Sequence, residues 1–250
     1  MAAASFNSDI CTGTREQCVT QSGSTVKLES LNIRVMNQPV YRKFSEYEGI
    51  VLCHVVNNGT SITVPRWYEL KRTTGNWTIH QQGTYTPDAA HRRLPAVCYN
   101  KNGDIALAYN ISGSSLTPGI RYTGRKFCDT LGLMTYTETT VISGTTANGS
   151  TRYGDYNHLV IDPSDDVTFW FTAMHNSAST WSTRIAAFKI PACSTSTSCV
   201  APTALTSGTV TDVSASLSWS GSASASSHWL EYKAATGSTW TLLDTYGSLH

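Results

Sequence analysis

The chain has 250 residues, with 18 Lys plus Arg against 17 Asp plus Glu and a formal charge of +1. Only 14% of the residues are charged, below the roughly 25% usual for soluble domains, so no basic stripe exists to neutralise phosphates and nucleic acid is not an expected partner. No apolar run approaches the ~18 residues that a membrane-crossing helix needs, so no membrane span is expected either.

Ser, Thr, Gly and aromatic residues dominate, a mixture that favours strands and turns over helices. Residues 1–30 are polar and irregular, and residues 1–7 lack the basic and apolar regions of a secretory signal. The chain is expected to begin inside a longer repeat array. Cys11 and Cys18, in a polar loop, are spaced for a local disulfide. Residues 31–36 alternate as a strand would, and residues 41–44 lead towards the next.

From there a pattern repeats. Gly49-Ile50-Val51-Leu52-Cys53-His54 is matched by Asp104-Ile105-Ala106-Leu107-Ala108-Tyr109 and again by the stretch from Asp166 to Phe171, each about 60 residues after the last. Arg66-Trp67-Tyr68 then matches Arg121-Tyr122-Thr123, and Ile120-Arg121-Tyr122 matches Thr183-Arg184-Ile185, at nearly the same internal spacing. The sharpest copy opens on Arg152-Tyr153-Gly154-Asp155-Tyr156, passes through residues 159–162 and a turn at Pro163-Ser164-Asp165-Asp166, and ends in residues 182–190. Units of this length built only from strands point to propeller blades, in which each sheet buries both faces against neighbours. Three such units cannot close a ring, since propellers carry about four to eight.

Composition breaks at residues 191–200, where Cys193 and Cys199 bracket a Ser/Thr run and are expected to form a second local disulfide. Such bridges persist in an oxidising compartment, which favours a secreted or cell-surface protein. Cys53 and Cys98 read as small buried hydrophobes, and Cys128 has no assigned role. Beyond residue 200, Leu217 and Trp219 share one strand face, and Leu230 and Tyr232 share another.

Pro202-x-x-Leu205, Leu217-x-Trp219 and Leu230-x-Tyr232 resemble the first half of a fibronectin type III domain, covering about 50 of the roughly 100 residues of a seven-stranded sandwich. Such a half should be loosely folded, with apolar side chains uncovered. The earlier stretches, among them Gln81-Gln82-Gly83-Thr84-Tyr85-Thr86-Pro87-Asp88, Asn102-Gly103 with the Asp104 strand, Ile120 to Arg125, and Arg152 to Tyr156 with Asp162 to Trp170, together resemble large secreted bacterial proteins. In that group a sialidase-like propeller precedes fibronectin type III repeats. The chain lacks the Ser-x-Asp-x-Gly-x-x-Trp boxes of true sialidases and carries Arg93 where an aromatic is common.

The expected fold is therefore all-β: a partial β-propeller of about three four-stranded antiparallel blades over residues 1–190, a linker at 191–200, and part of a fibronectin type III sandwich at 201–250. In propellers, ligand groups collect where the chain enters each innermost strand and in the loop joining the second and third strands. That places Arg92, Arg93, Arg152, Tyr153, Asp155, His175 and Trp181 as candidate ligand-binding residues: Arg for planar bidentate capture, Tyr and Trp for stacking on sugars. The alternative is that Arg152 and Asp155 pair with each other to fix the packing. Asp162, Asp165 and Asp166 suit a calcium or acid–base role, but fit ordinary turn chemistry better. No catalytic residue, metal or cofactor is assigned. The expected function is non-catalytic binding of glycans or an extracellular protein surface; the alternative is a glycoside hydrolase whose site is completed by further blades.

Overall fold

The computed structural model describes residues 2–11, 16–32, 34–178, 180–193, 203–220, 227–239 and 241–247. These residues form strands and no helix, and the chain divides after Cys193 into two compact units.

The first unit opens with a small hairpin, β1 (Gln17–Val19) and β2 (Leu28–Glu29). Residues 31–36, expected as a strand, are irregular where described. Leu31 sits at a φ of 48°, which no regular strand accommodates. A four-stranded antiparallel sheet follows, in spatial order β3 (Val40–Lys43), β4 (Glu48–Asn57), β5 (Thr63–Arg72) and β6 (Thr78–Thr84). A second has the same plan: β7 (His91–Tyr99), β8 (Ile105–Gly113), β9 (Leu116–Arg125) and β10 (Tyr136–Ile142). The third has three strands, β11 (His158–Ile161), β12 (Phe169–Ser177) and β13 (Thr180–Phe188), so the expectation of four in every sheet is corrected here. The matched sequence stretches fall on the second and third strands of the three sheets, β4 and β5, β8 and β9, β12 and β13.

The second sheet is the centre of the unit. Every residue of β7 and β8 is buried, because both faces are covered, and this explains why residues 94–99 and 105–109 run apolar rather than alternating. Alternation survives in side-chain size. Ile105, Leu107 and Tyr109 join Val51, Cys53 and Trp67 of the first sheet. Ala106 and Ala108, with Ala96 and Cys98, instead meet Phe169, Phe171 and Phe188 of the third. Small residues on one face leave room for large ones opposite. The stack stays open: among the described residues the three sheets close into no barrel or ring. The outward face of the third sheet leaves Val160, Trp170, Trp181 and Ile185 exposed.

Cys11 and Cys18 are disulfide-bonded. The second bridge differs from the one expected: Cys193 pairs with Cys128, with Cα atoms 6.0 Å apart. Ile190 is anchored in the core beside the second and third sheets, and this brings Cys193 back to the β9–β10 connection, where the Cys128 N–H donates to its sulfur at 3.1 Å. Sequence proximity to Cys199 is therefore not what selects the partner; Cys199 lies outside the described residues. Cys53 and Cys98 are buried free thiols.

The second unit contains two hairpins, β14 (Thr203–Val210) with β15 (Ala215–Ser220), and β16 (Ser227–Tyr232) with β17 (Thr241–Gly247). Leu205, Val210, Val213, Leu217 and Tyr232 are exposed. Pro202, one residue of the expected sandwich pattern, lies outside the described residues.

Candidate functional site

β7 begins with His91, Arg92 and Arg93, and a bulge follows between Arg93 and Ala96. Leu94 takes a φ of 51° there. The two arginines leave the strand on opposite sides, and neither presents its guanidinium to solvent.

Arg92 is fully buried, and all five of its N–H groups are engaged. Nε donates to Glu138 Oε1 at 2.7 Å and Nη2 to Glu138 Oε2 at 3.2 Å. Nη1 and Nη2 also grip Asp88 at 2.8 and 2.9 Å, and Nη1 reaches the Ala90 carbonyl at 3.2 Å. Its guanidinium lies over the Tyr85 and Tyr109 rings. Glu138 is completed by Tyr109 Oη at 2.5 Å and Arg121 Nη1 at 2.6 Å. Burial pushes the Glu138 carboxyl up, but the hydrogen bonds from Arg92, Tyr109 and Arg121 outweigh it and hold it below its usual value. Arg92 has no N–H left for a ligand, so it is a strut and its expected binding role is corrected.

Arg93 is equally sealed. Its guanidinium donates to the backbone carbonyls of Glu29 and, at 2.6 Å, Tyr153, and lies 5.1 Å from the Tyr153 ring centroid. Burial pulls it down to about 10, so it stays protonated at neutral pH. It ties three segments together: the β1–β2 hairpin, β7 and the chain entering β11. His175 also falls away from the candidate set. It is buried on the side of β12 that carries Phe171 and Ala173, whereas Met174 and Trp181 belong to the other face. Strand alternation separates them.

The other four candidates meet. Arg152, Tyr153, Gly154, Asp155, Tyr156, Met174 and Trp181 line a cleft of about 370 Å³, within the range of about 300–1,000 Å³ typical of small-molecule sites. A smaller annexe of about 150 Å³ shares Asp155, Tyr156, Met174 and Trp181 and adds Asn157, Thr172, Ala173 and Thr183. Tyr153 is buried; its hydroxyl donates to the Met174 carbonyl at 2.8 Å, and the residue packs on Val19 and Leu28 of the hairpin. Arg152 donates to Asp155 and stands 3.8 Å from Glu29. The pairing weighed in the sequence is therefore formed, and it forms within the cleft. Trp181 is 67% exposed and Tyr156 87% exposed, which leaves two aromatic groups open to a ligand.

Gly154 makes this arrangement possible. At a φ of 76° it carries the chain over the β7 bulge, and a Cβ there would meet Asn110 Oδ1 at 2.7 Å and Leu94 Cδ1 at 2.9 Å. Both are buried neighbours with little room to yield. Gly154→Ala is expected to destabilise the chain by about 1–3 kcal/mol and to weaken any ligand held by Tyr156. Urea unfolding checks the first effect and ligand titration the second.

No family model and no curated protein matches this chain. What the cleft can do must follow from its own chemistry: two open aromatic groups beside one guanidinium–carboxylate pair. Tyr156 and Met174 are members that the sequence reading missed. Tyr156 closes the quoted Arg152 motif, and Met174 lies four residues from exposed Trp170 on the same strand face, a period-two signal in plain view. The acidic turn serves the backbone. Asp162 Oδ1 accepts from the Ser164 N–H at 2.8 Å, Asp165 Oδ1 accepts from the Val167 and Thr168 N–H groups at 2.9 and 2.8 Å, and Asp166 pairs with Arg42. Turn chemistry accounts for the Asp162 and Asp165 carboxylates, and a long-range ion pair with Arg42 for that of Asp166.

Proposed function

We propose that this chain belongs to a secreted or cell-surface protein of sialidase-like propeller type, followed by a fibronectin type III-like segment, and that it binds glycans without turning them over. The observation that carries the reading is the cleft in which exposed Tyr156 and Trp181 flank the Arg152–Asp155 pair. Sugars have apolar C–H faces that pack on aromatic rings and hydroxyls that hydrogen-bond to charged side chains, and the cleft offers both.

The propeller reading draws support from three successive antiparallel sheets that repeat one sequence plan, with the middle sheet buried on both faces. Two disulfides support an oxidising compartment. For the second unit, support is limited to the antiparallel β14–β15 and β16–β17 pairs that carry the Leu217, Trp219 and Tyr232 positions.

A glycan array probed with the full chain tests the function. Retention on a defined set of glycans is expected, reduced by roughly two- to tenfold in Trp181→Ala or Tyr156→Ala, the size of a lost aromatic contact. Retention that is indifferent to both variants would remove the cleft from the account. Turnover of fluorogenic glycosides by the same preparation would replace binding by hydrolysis.

A further inference from the structure

We infer that the cleft takes a neutral saccharide in preference to an acidic one, an inference that rests on the saccharide reading above. The ground is the charge arrangement. Among the described residues lining the cleft and its annexe, Arg152 and Asp155 are the charged ones, and they are paired with each other. Behind them, Glu29 stands 3.8 Å from Arg152, while the Arg93 guanidinium is committed to the carbonyls of Glu29 and Tyr153.

Capture of a ligand carboxylate works best with an arginine whose planar fork is unopposed. No arginine of the candidate set meets that condition. Arg92 is closed off by Asp88 and Glu138, Arg93 is buried, and Arg152 already holds Asp155. An incoming carboxylate would have to share Arg152 with Asp155, and the two like charges would repel at short range. A neutral sugar has no such conflict. Its hydroxyls can donate to Asp155 and accept from Arg152, so both sides of the pair keep their bonds, while its ring lies against Trp181 or Tyr156. Asp155 is thereby the residue that sets the class of sugar.

The experiment compares the full chain, Asp155→Asn and Arg152→Gln on an array of neutral oligosaccharides and the sialylated or uronate-bearing forms of the same oligosaccharides. The unaltered chain should favour neutral forms by about tenfold or more. Asp155→Asn, which leaves the Arg152 charge unopposed, should narrow or reverse that preference. Arg152→Gln, which leaves Asp155 unopposed, should widen it. A preference of the unaltered chain for acidic forms overturns the inference and leaves the saccharide reading standing. Equal preference in all three proteins overturns the role given to Asp155. Failure of the unaltered chain to retain any glycan overturns the saccharide reading itself.

Discussion

Arg92→Ala should lower the stability of the chain by about 3 kcal/mol, the low end of the cost of removing one partner from a buried ion pair, since Glu138 retains Arg121 and Asp88 is half exposed. The size follows from the geometry: five donors are lost at once, Glu138 keeps only Tyr109 and Arg121, and a cavity opens under Tyr85 and Tyr109. Arg92→Lys should recover little, because an ammonium cannot serve Asp88 and Glu138 with two planar forks. Urea unfolding at neutral pH measures both variants. The network also fixes an acid dependence. Glu138 has a folded value below its unfolded one, so its contribution is fully present above the unfolded carboxylate range, near pH ~4.3, and is lost as pH falls through the folded value. The Arg92→Ala chain should show a shallower loss over that interval.

The second large effect belongs to the bridge between Cys128 and Cys193. It closes a separation of 65 residues, for which loop entropy alone gives about 4 kcal/mol of stabilisation, whereas the Cys11–Cys18 bridge, with a separation of 7, gives about 2–3 kcal/mol. Replacing Cys128 and Cys193 by Ser should therefore cost more than replacing Cys11 and Cys18. It should also loosen Ile190 from the core against which the third sheet packs. Denaturant unfolding of the two double variants orders them; the reverse order would mean that strand packing, not the bridge, holds the end of the first unit in place.

How much could be read in advance depended on whether a signal was local. The repeated stretches at Gly49, Asp104 and Asp166 were legible because second strands buried on a two-sided sheet demand apolar runs, and short turns such as Asn102-Gly103 mark their starts. β10 was not legible, since Tyr136–Ile142 is rich in Thr and lies at the edge of its sheet with an irregular register. The β1–β2 hairpin escaped for a related reason: it owes its place to Arg93 and Tyr153, more than 60 residues away, and nothing in its own sequence announces them. The same distance hid the Cys128–Cys193 pairing behind a nearer cysteine.

In the candidate site, the residue types were read more accurately than their partners. Arg152, Tyr153, Asp155 and Trp181 do converge, because the chain entering β11 lies beside the face of the third sheet that carries Met174 and Trp181. Arg92 and Arg93 looked equivalent as neighbours in sequence, yet strand alternation sends them to opposite faces and burial converts both into struts. His175 was set apart from Trp181 by the parity of a strand. These are tertiary decisions, and the sequence holds them only as possibilities.

The most direct measurement is the indole N–H resonance of Trp181, assigned by its disappearance in Trp181→Phe, followed while the full chain is titrated with the glycans retained on the array. Saturable movement of that resonance, matched in midpoint to the binding curve and abolished by Tyr156→Ala, is the predicted result. Glycan binding that shifts other tryptophan signals and leaves Trp181 where it was would contradict the account.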